Sequence, residues 1–241
     1  MSYFYILSDA RNKLTSTDTA FHNTSLPSQP IGKILSASTS SESTFGTIAT
    51  WLQECLSEHQ GCAQRLSDQP SKSLDRVRFL EIKEDVLLLK TNVDRVYSSG
   101  YACLSHCWGN GTDVVRTLED NIQKHSTVGI RIDVLPKTFR DAVQICSRLK
   151  ITYIWIDSLC IIQDNDEDWR IQAAFMADIY EHSRITIAAS AAKGPTEGCF
   201  READKLSIGG PLPAYAGLYI RREPDPPTRS SSWPLFQRGW V

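Results

Sequence analysis

Ile151-Thr152-Tyr153-Ile154-Trp155-Ile156-Asp157 is the stretch on which the fold turns. Its first six residues are all β-branched or aromatic, so both faces are apolar, the pattern of a central parallel strand covered on both sides. Just upstream, Pro136 stands where a helix can start without losing a hydrogen bond. Phe139, Ala142, Val143, Cys146 and Leu149 then mark one apolar helical stripe. Before that, Tyr101-Ala102-Cys103-Leu104-Ser105 is a short buried strand that runs into the turn-rich Gly109-Asn110-Gly111. Downstream, Trp169, Ala173, Met176 and Tyr180 recur at helical spacing, and Ile185-Thr186-Ile187-Ala188-Ala189 is a further strand. Strand, helix, strand, helix, strand from about 101 to 190 predicts right-handed crossovers and an α/β fold. The sheet is expected to be mainly parallel and flanked by helices.

Further out, Trp51, Leu52, Cys55, Leu56 and His59 share one face of a short helix. Val77–Ile82 and Val86–Lys90, separated by Lys83-Glu84-Asp85, suggest a hairpin. Together they predict an N-terminal helix and β-hairpin extension of the sheet. The Ser/Thr-rich tract from Thr15 to Thr44 has few large apolar residues to bury and is expected to be loop or partly disordered. Gly209 to Val241 carries Gly/Pro breaker signals around one strand near Tyr215–Ile220. The expected organisation is thus 1–50 as an N-terminal segment, 51–200 as the α/β domain and 201–241 as a C-terminal segment.

Composition excludes several classes. With 241 residues the chain can bury a large core without disulfides. Lys plus Arg is 26 against 28 for Asp plus Glu, a formal charge of −2, which argues against a protein built to coat nucleic acid or an anionic membrane. No apolar run is long enough to span a bilayer, and the N-terminus lacks a basic region before its short apolar run. Seven cysteines without the spacing of a secreted scaffold point to reduced thiols in a cytosol or nucleus, and the cytoplasm is the expected location.

In open α/β sheets ligands bind beyond the carboxyl ends of the strands. Ser105-His106, Asp157-Ser158 and Ser190 all lie just past such ends. Asp157 is either a ligand-orienting carboxylate or a cap on the backbone N–H groups that follow it. Ser105 and His106 are adjacent on an extended chain and point to opposite faces, which counts against a catalytic dyad. Trp108 is placed to stack on a ring. Gly109, in a turn that matches no phosphate-binding fingerprint, joins the candidate ligand-binding set through backbone N–H groups able to cradle a phosphate, a plain tight turn being the favoured alternative. Cys103, Cys107 and Cys160 are candidate thiolates, although buried cysteine is more often a packed hydrophobe. Trp155 and Trp169 read as core. Asp164, Asp166, Glu167 and Asp168 are expected to complement a helix N-terminus, with Asp166 or Asp168 as its cap. Cys55-x3-His59-x2-Cys62 is part of a zinc pattern lacking a second close pair. Core packing of Cys55 and Cys62 is the expected outcome, and no metal is assigned.

The blocks Tyr101–Gly109, Leu135–Ala142, Tyr153–Asp164 with Asp168-Trp169, Met176–Tyr180 and Ile185–Ala189 resemble, in order, the fungal heterokaryon-incompatibility (HET) domain family. Trp51-Leu52-x2-Cys55-x3-His59-x2-Cys62 is similar to the lead-in of many members, so the resemblance covers roughly 50 to 241. It implies a role in non-self recognition and programmed cell death, and a flavodoxin-like fold distantly related to TIR domains. It also implies NAD as a candidate substrate, with no resident cofactor required and Gln163 and Asp164 added to the ligand-binding set. Where many members carry Glu three residues after the Trp, this chain has Gln172, which cannot act as a carboxylate acid or base. The family usually continues past an Arg-x-Trp block into a Gln-Glu pair. The sequence closes on Arg238-Gly239-Trp240-Val241, so the domain is expected to be truncated before its catalytic glutamate. Partners implied are proteins or a second copy of the chain, and a nucleotide ligand. The rival to an NAD glycohydrolase is a non-enzymatic, self-associating signalling module.

Overall fold

The computed structural model describes residues 4–8, 36–62, 76–91, 96, 99–110, 114–203, 208, 210–211, 218–222 and 233–237. The elements used below run in chain order as follows. The N-terminal half holds β1 (Phe4–Ser8), α1 (Glu42–Glu58), β2 (Arg78–Lys83), β3 (Val86–Thr91) and β4 (Tyr101–Ser105). Next come α2 (Ile122–Thr127), β5 (Ile130–Arg131), α3 (Lys137–Arg148), β6 (Tyr153–Ile156) and α4 (Asp157–Cys160). The remainder is α5 (Asp166–Ala174), α6 (Met176–Glu181), β7 (Ile185–Ala188), β8 (Gly210–Pro211) and β9 (Leu218–Arg222).

The chain divides into two compact units, Met1–Gly46 with Phe200–Pro226 and Thr47–Cys199 with Pro227–Val241. The first holds a three-stranded antiparallel sheet in the order β1-β9-β8, registered through Ile6↔Ile220 and Gly210↔Ile220. The strand expected near Tyr215–Ile220 forms as β9, and it pairs with an N-terminal strand that the sequence did not announce. Phe45 and Phe200 meet edge to face in this unit at 6.1 Å. Most of the Ser/Thr-rich tract expected to be loop, residues 15–35, lies outside the described residues.

The second unit is built on a six-stranded sheet in the order β5-β3-β2-β6-β4-β7. Strands β6, β4 and β7 are parallel neighbours, in register through Leu104↔Ile156 and Leu104↔Ile187. The β2–β3 hairpin forms where expected but joins this sheet: Leu80 pairs with Ile154 across an antiparallel β2–β6 junction, and β5 extends β3 antiparallel. The expected mainly parallel sheet is therefore a mixed one. The cause is the open edge of β6, whose buried N–H and C=O groups need partners on the side away from β4. The hairpin supplies them.

The core follows the sequence pattern closely. Trp155, Ile154, Ile156, Tyr101 and Leu104 are buried in the sheet, and Phe139, Ala142 and Cys146 turn the stripe of α3 onto it. Pro136 stands at the N-cap of α3, as its missing N–H favours. Two expectations need correction. Trp169 is 55% exposed rather than core. The helical spacing from Trp169 to Tyr180 crosses a break at Phe175, where α5 gives way to α6 and the stripe changes direction. Nor do Asp166 or Asp168 cap α5. Asn165 does, its side chain accepting the Asp168 N–H at 2.8 Å. Asp168 is thereby left to pair with Arg78 and to accept the Ile162 N–H at 2.8 Å.

Candidate functional site

Because β6, β4 and β7 are parallel, their carboxyl ends share one edge of the sheet. The register brings Ser105 beside Ala188 at the end of β4, and its carbonyl accepts the Ala189 N–H at 2.9 Å. Since Leu104 pairs with Ile156, the next residues, Ser105 and Asp157, leave neighbouring strands side by side. The geometric expectation of a common edge holds.

Three side chains converge there. The Trp108 Nε1–H donates to Asp157 Oδ2 at 3.0 Å. His106 Nδ1 lies 3.8 Å from Asp157 Oδ1, longer than a hydrogen bond. The His106 ring is almost wholly buried and packs edge-on to Phe139 at 4.9 Å. Asp157 also accepts its own neighbour's N–H, Ser158, at 2.7 Å. The bond from Ser158 answers the expected cap on the backbone that follows, and the bond from Trp108 gives the carboxylate an indole partner that the sequence did not announce. An ionised carboxylate offers about four acceptor sites, so two hydrogen bonds leave capacity for a ligand hydroxyl. The side chain keeps 15% of its surface exposed. Ser158 is buried, and its hydroxyl has no hydrogen-bond partner among the described residues.

Trp108 is not a free stacking platform on both faces. Its indole N–H is held by Asp157, and the Arg116 guanidinium lies over its ring at 5.7 Å. Arg116 was missed by sequence reasoning, because it stands in a segment with no periodic pattern. Gly109 adopts φ +62°, and a Cβ there would come within 3.3 Å of the Gly194 backbone. The loop after β7 thus packs directly on the turn after β4, and the tight-turn reading of Gly109 stands.

The amino end of α3 grips the same loop. Thr138 donates its N–H to the Pro195 carbonyl at 2.8 Å, and its hydroxyl accepts the Gly198 N–H at 3.0 Å. Asp141 accepts the Cys199 N–H at 2.8 Å and pairs with Lys137. The Leu135–Ala142 block is therefore the clamp of this edge. The Leu235 N–H donates to the Ser190 carbonyl at 3.3 Å, so the segment Pro234–Gln237 also reaches the end of β7.

Gln163 and Asp164 lie farther along the rim. The Gln163 amide donates to the Asp157 and Ile161 carbonyls at 3.1 and 3.0 Å, and Asp164 accepts the Glu119 N–H at 3.0 Å. Both tie the turn after α4 to its surroundings. Gln172 is buried and donates to the Arg76 carbonyl at 3.1 Å, a packing role. Burial pushes the Cys160 thiol up to about 12 and the Cys103 thiol well above its ordinary value. Neither supplies a thiolate at neutral pH. Away from this edge, Cys55 and Cys62 are half-buried rather than packed in the core.

The family model described as "Heterokaryon incompatibility protein (HET)" matches residues 101–241, the span that contains this whole edge. No curated protein and no solved structure matches the chain.

Proposed function

Because the chain belongs to the heterokaryon-incompatibility (HET) family, we propose that it acts in the cytoplasm in fungal non-self recognition and the cell death that follows. In this reading its strand-end edge is a nucleotide site and NAD is the candidate ligand. The observation that carries it is the convergence of His106, Trp108 and Asp157 where three parallel strands end. The parallel β6-β4-β7 trio is also the part of the sheet on which a flavodoxin- or TIR-like kinship rests. Asp157 accepts a ribose hydroxyl or faces the cationic sugar, since cleavage of a glycosidic bond passes through an oxocarbenium-like state that a carboxylate stabilises. His106 packs edge-on to Phe139 and stands beside Asp157. The exposed part of Trp108 packs on the base or nicotinamide ring. No helix among the described residues is long and apolar enough to cross a membrane.

A second reading, a self-associating module without turnover, draws on the same geometry. Both Asp157 oxygens and the Trp108 N–H already have partners inside the chain. Incubation with NAD and assay of free nicotinamide, beside light scattering across concentration, separates the two. Nicotinamide release supports the enzyme. Assembly that grows with concentration while NAD stays intact supports the module and removes turnover from the proposal.

A further inference from the structure

The carboxyl end of α1 gathers three side chains that the strand-end site does not use. Cys55 and His59 are four residues apart, and the His59 N–H donates to the Cys55 carbonyl at 3.3 Å, so the helical turn carries both to one face. Residues 60–62 continue in a further helical turn, the Cys62 N–H donating to the His59 carbonyl at 2.9 Å. The two thiol sulfurs and an imidazole nitrogen all come to lie within 4.8 Å of one another. Both cysteines are free thiols.

We propose that Cys55, His59 and Cys62 form a zinc site. Zinc–sulfur bonds of about 2.3 Å and zinc–nitrogen bonds of about 2.0 Å at tetrahedral angles set ligand atoms roughly 3.5–3.8 Å apart. The three atoms are already close to that triangle, and side-chain rotation closes the remainder. Two thiolates and an imidazole select zinc over calcium or magnesium, which take oxygen ligands. On binding, both thiol protons go to solvent and His59 ligates as the neutral imidazole. Cys55 and Cys62 are half-buried and His59 is exposed, which leaves the fourth position to water or a carboxylate. Glu181 lines the same small cleft as both thiols, and Glu54 and Glu58 line the groove beside His59. The ion would pin the end of α1 to the chain that leaves it. That role is separate from any nucleotide chemistry at the strand ends.

The test uses the full chain, purified under reducing conditions from zinc-supplemented culture and desalted before elemental analysis. Close to one equivalent of zinc is expected. The Cys62→Ser and His59→Ala proteins are expected to lose most of it, and Cys199→Ser to keep it. Titration of the metal-free wild-type chain with Co2+ should give the thiolate charge-transfer and visible bands of a tetrahedral site, whether or not the variants fold. Three results would each overturn the site: no retained zinc together with no cobalt bands, equal zinc in wild type and the Cys55→Ser/Cys62→Ser protein, or a native Cys55–Cys62 disulfide found by mass spectrometry of alkylated, unreduced chain.

Discussion

Replacing Arg78 by Met tests how the second unit is held together. Arg78 opens β2, and its Nε–H donates to the Cys160 carbonyl at 2.7 Å while its outer nitrogen pairs with Asp168. The pair therefore ties β2 to α4 and to the first turn of α5. The two side chains are 10% and 15% exposed, so little solvent screens them. Removing one partner of a buried pair costs about 3 kcal/mol or more, mostly because the other charge is left uncompensated. For a domain of this size about 3 kcal/mol lowers Tm by roughly 6–12 °C. Asp168→Asn keeps an oxygen for the Ile162 N–H and loses only the charge. The double variant should then be far more stable than the summed single losses imply, with a coupling of about 2 kcal/mol in a urea double-mutant cycle. Additive losses, with a coupling below about 0.5 kcal/mol, would refute the argument that the pair is a buried unit.

Burial and the neighbouring Lys124 hold His125 below its ordinary pKa, against the opposing pull of Asp120, and its Nδ1 lies 3.0 Å from the Thr117 hydroxyl. Below about pH 6.5 the unfolded chain takes up this proton first, so stability should fall as pH drops from there through the lowered folded value. His125→Asn should flatten that part of a Tm–pH profile relative to wild type, and superimposable slopes would contradict it. Burial also pushes Cys146 and Cys160 up to about 12, so iodoacetamide should label them only as the chain unfolds. Fast labelling of Cys160 in native protein, mapped by peptide mass, would revive a thiolate mechanism. Gly198 sits at φ +85°, where a Cβ would strike Lys137 and Asp141. Gly198→Ala should cost about 1–3 kcal/mol by chemical denaturation, and a neutral result would place the loop after β7 elsewhere.

Side-chain patterning made much of the second unit legible. Tyr101–Ser105, Tyr153–Ile156 and Ile185–Ala188 announce themselves as apolar runs, and Phe139, Ala142 and Cys146 as a helical stripe. From those alone the shared strand-end edge followed, and with it the nearness of Ser105, His106 and Asp157. The docking of the hairpin on β6 did not follow, because edge pairing is main-chain hydrogen bonding and leaves no periodicity in side chains. Trp169 was misjudged because the spacing continues unbroken through Phe175, while the helix does not. Asn165 lost the cap to its acidic neighbours for a similar reason. Asn165, Asp166 and Asp168 can all cap, and only backbone geometry chooses among them. At the site, Trp108 was legible as a neighbour of the edge. Its bond to Asp157 and its cover by Arg116 depend on loop paths that no pattern encodes.

The proposed function requires that the His106, Trp108 and Asp157 group receives a nucleotide. The direct measurement is the Tm of wild-type and Asp157→Ala chains with increasing NAD, with circular dichroism to show that both are folded. Wild type should rise with NAD, as any ligand bound by the folded state alone requires. The Asp157→Ala protein should stay folded and show no rise. Equal shifts in the two proteins would take Asp157 out of the site, and no shift in wild type would remove NAD from the account.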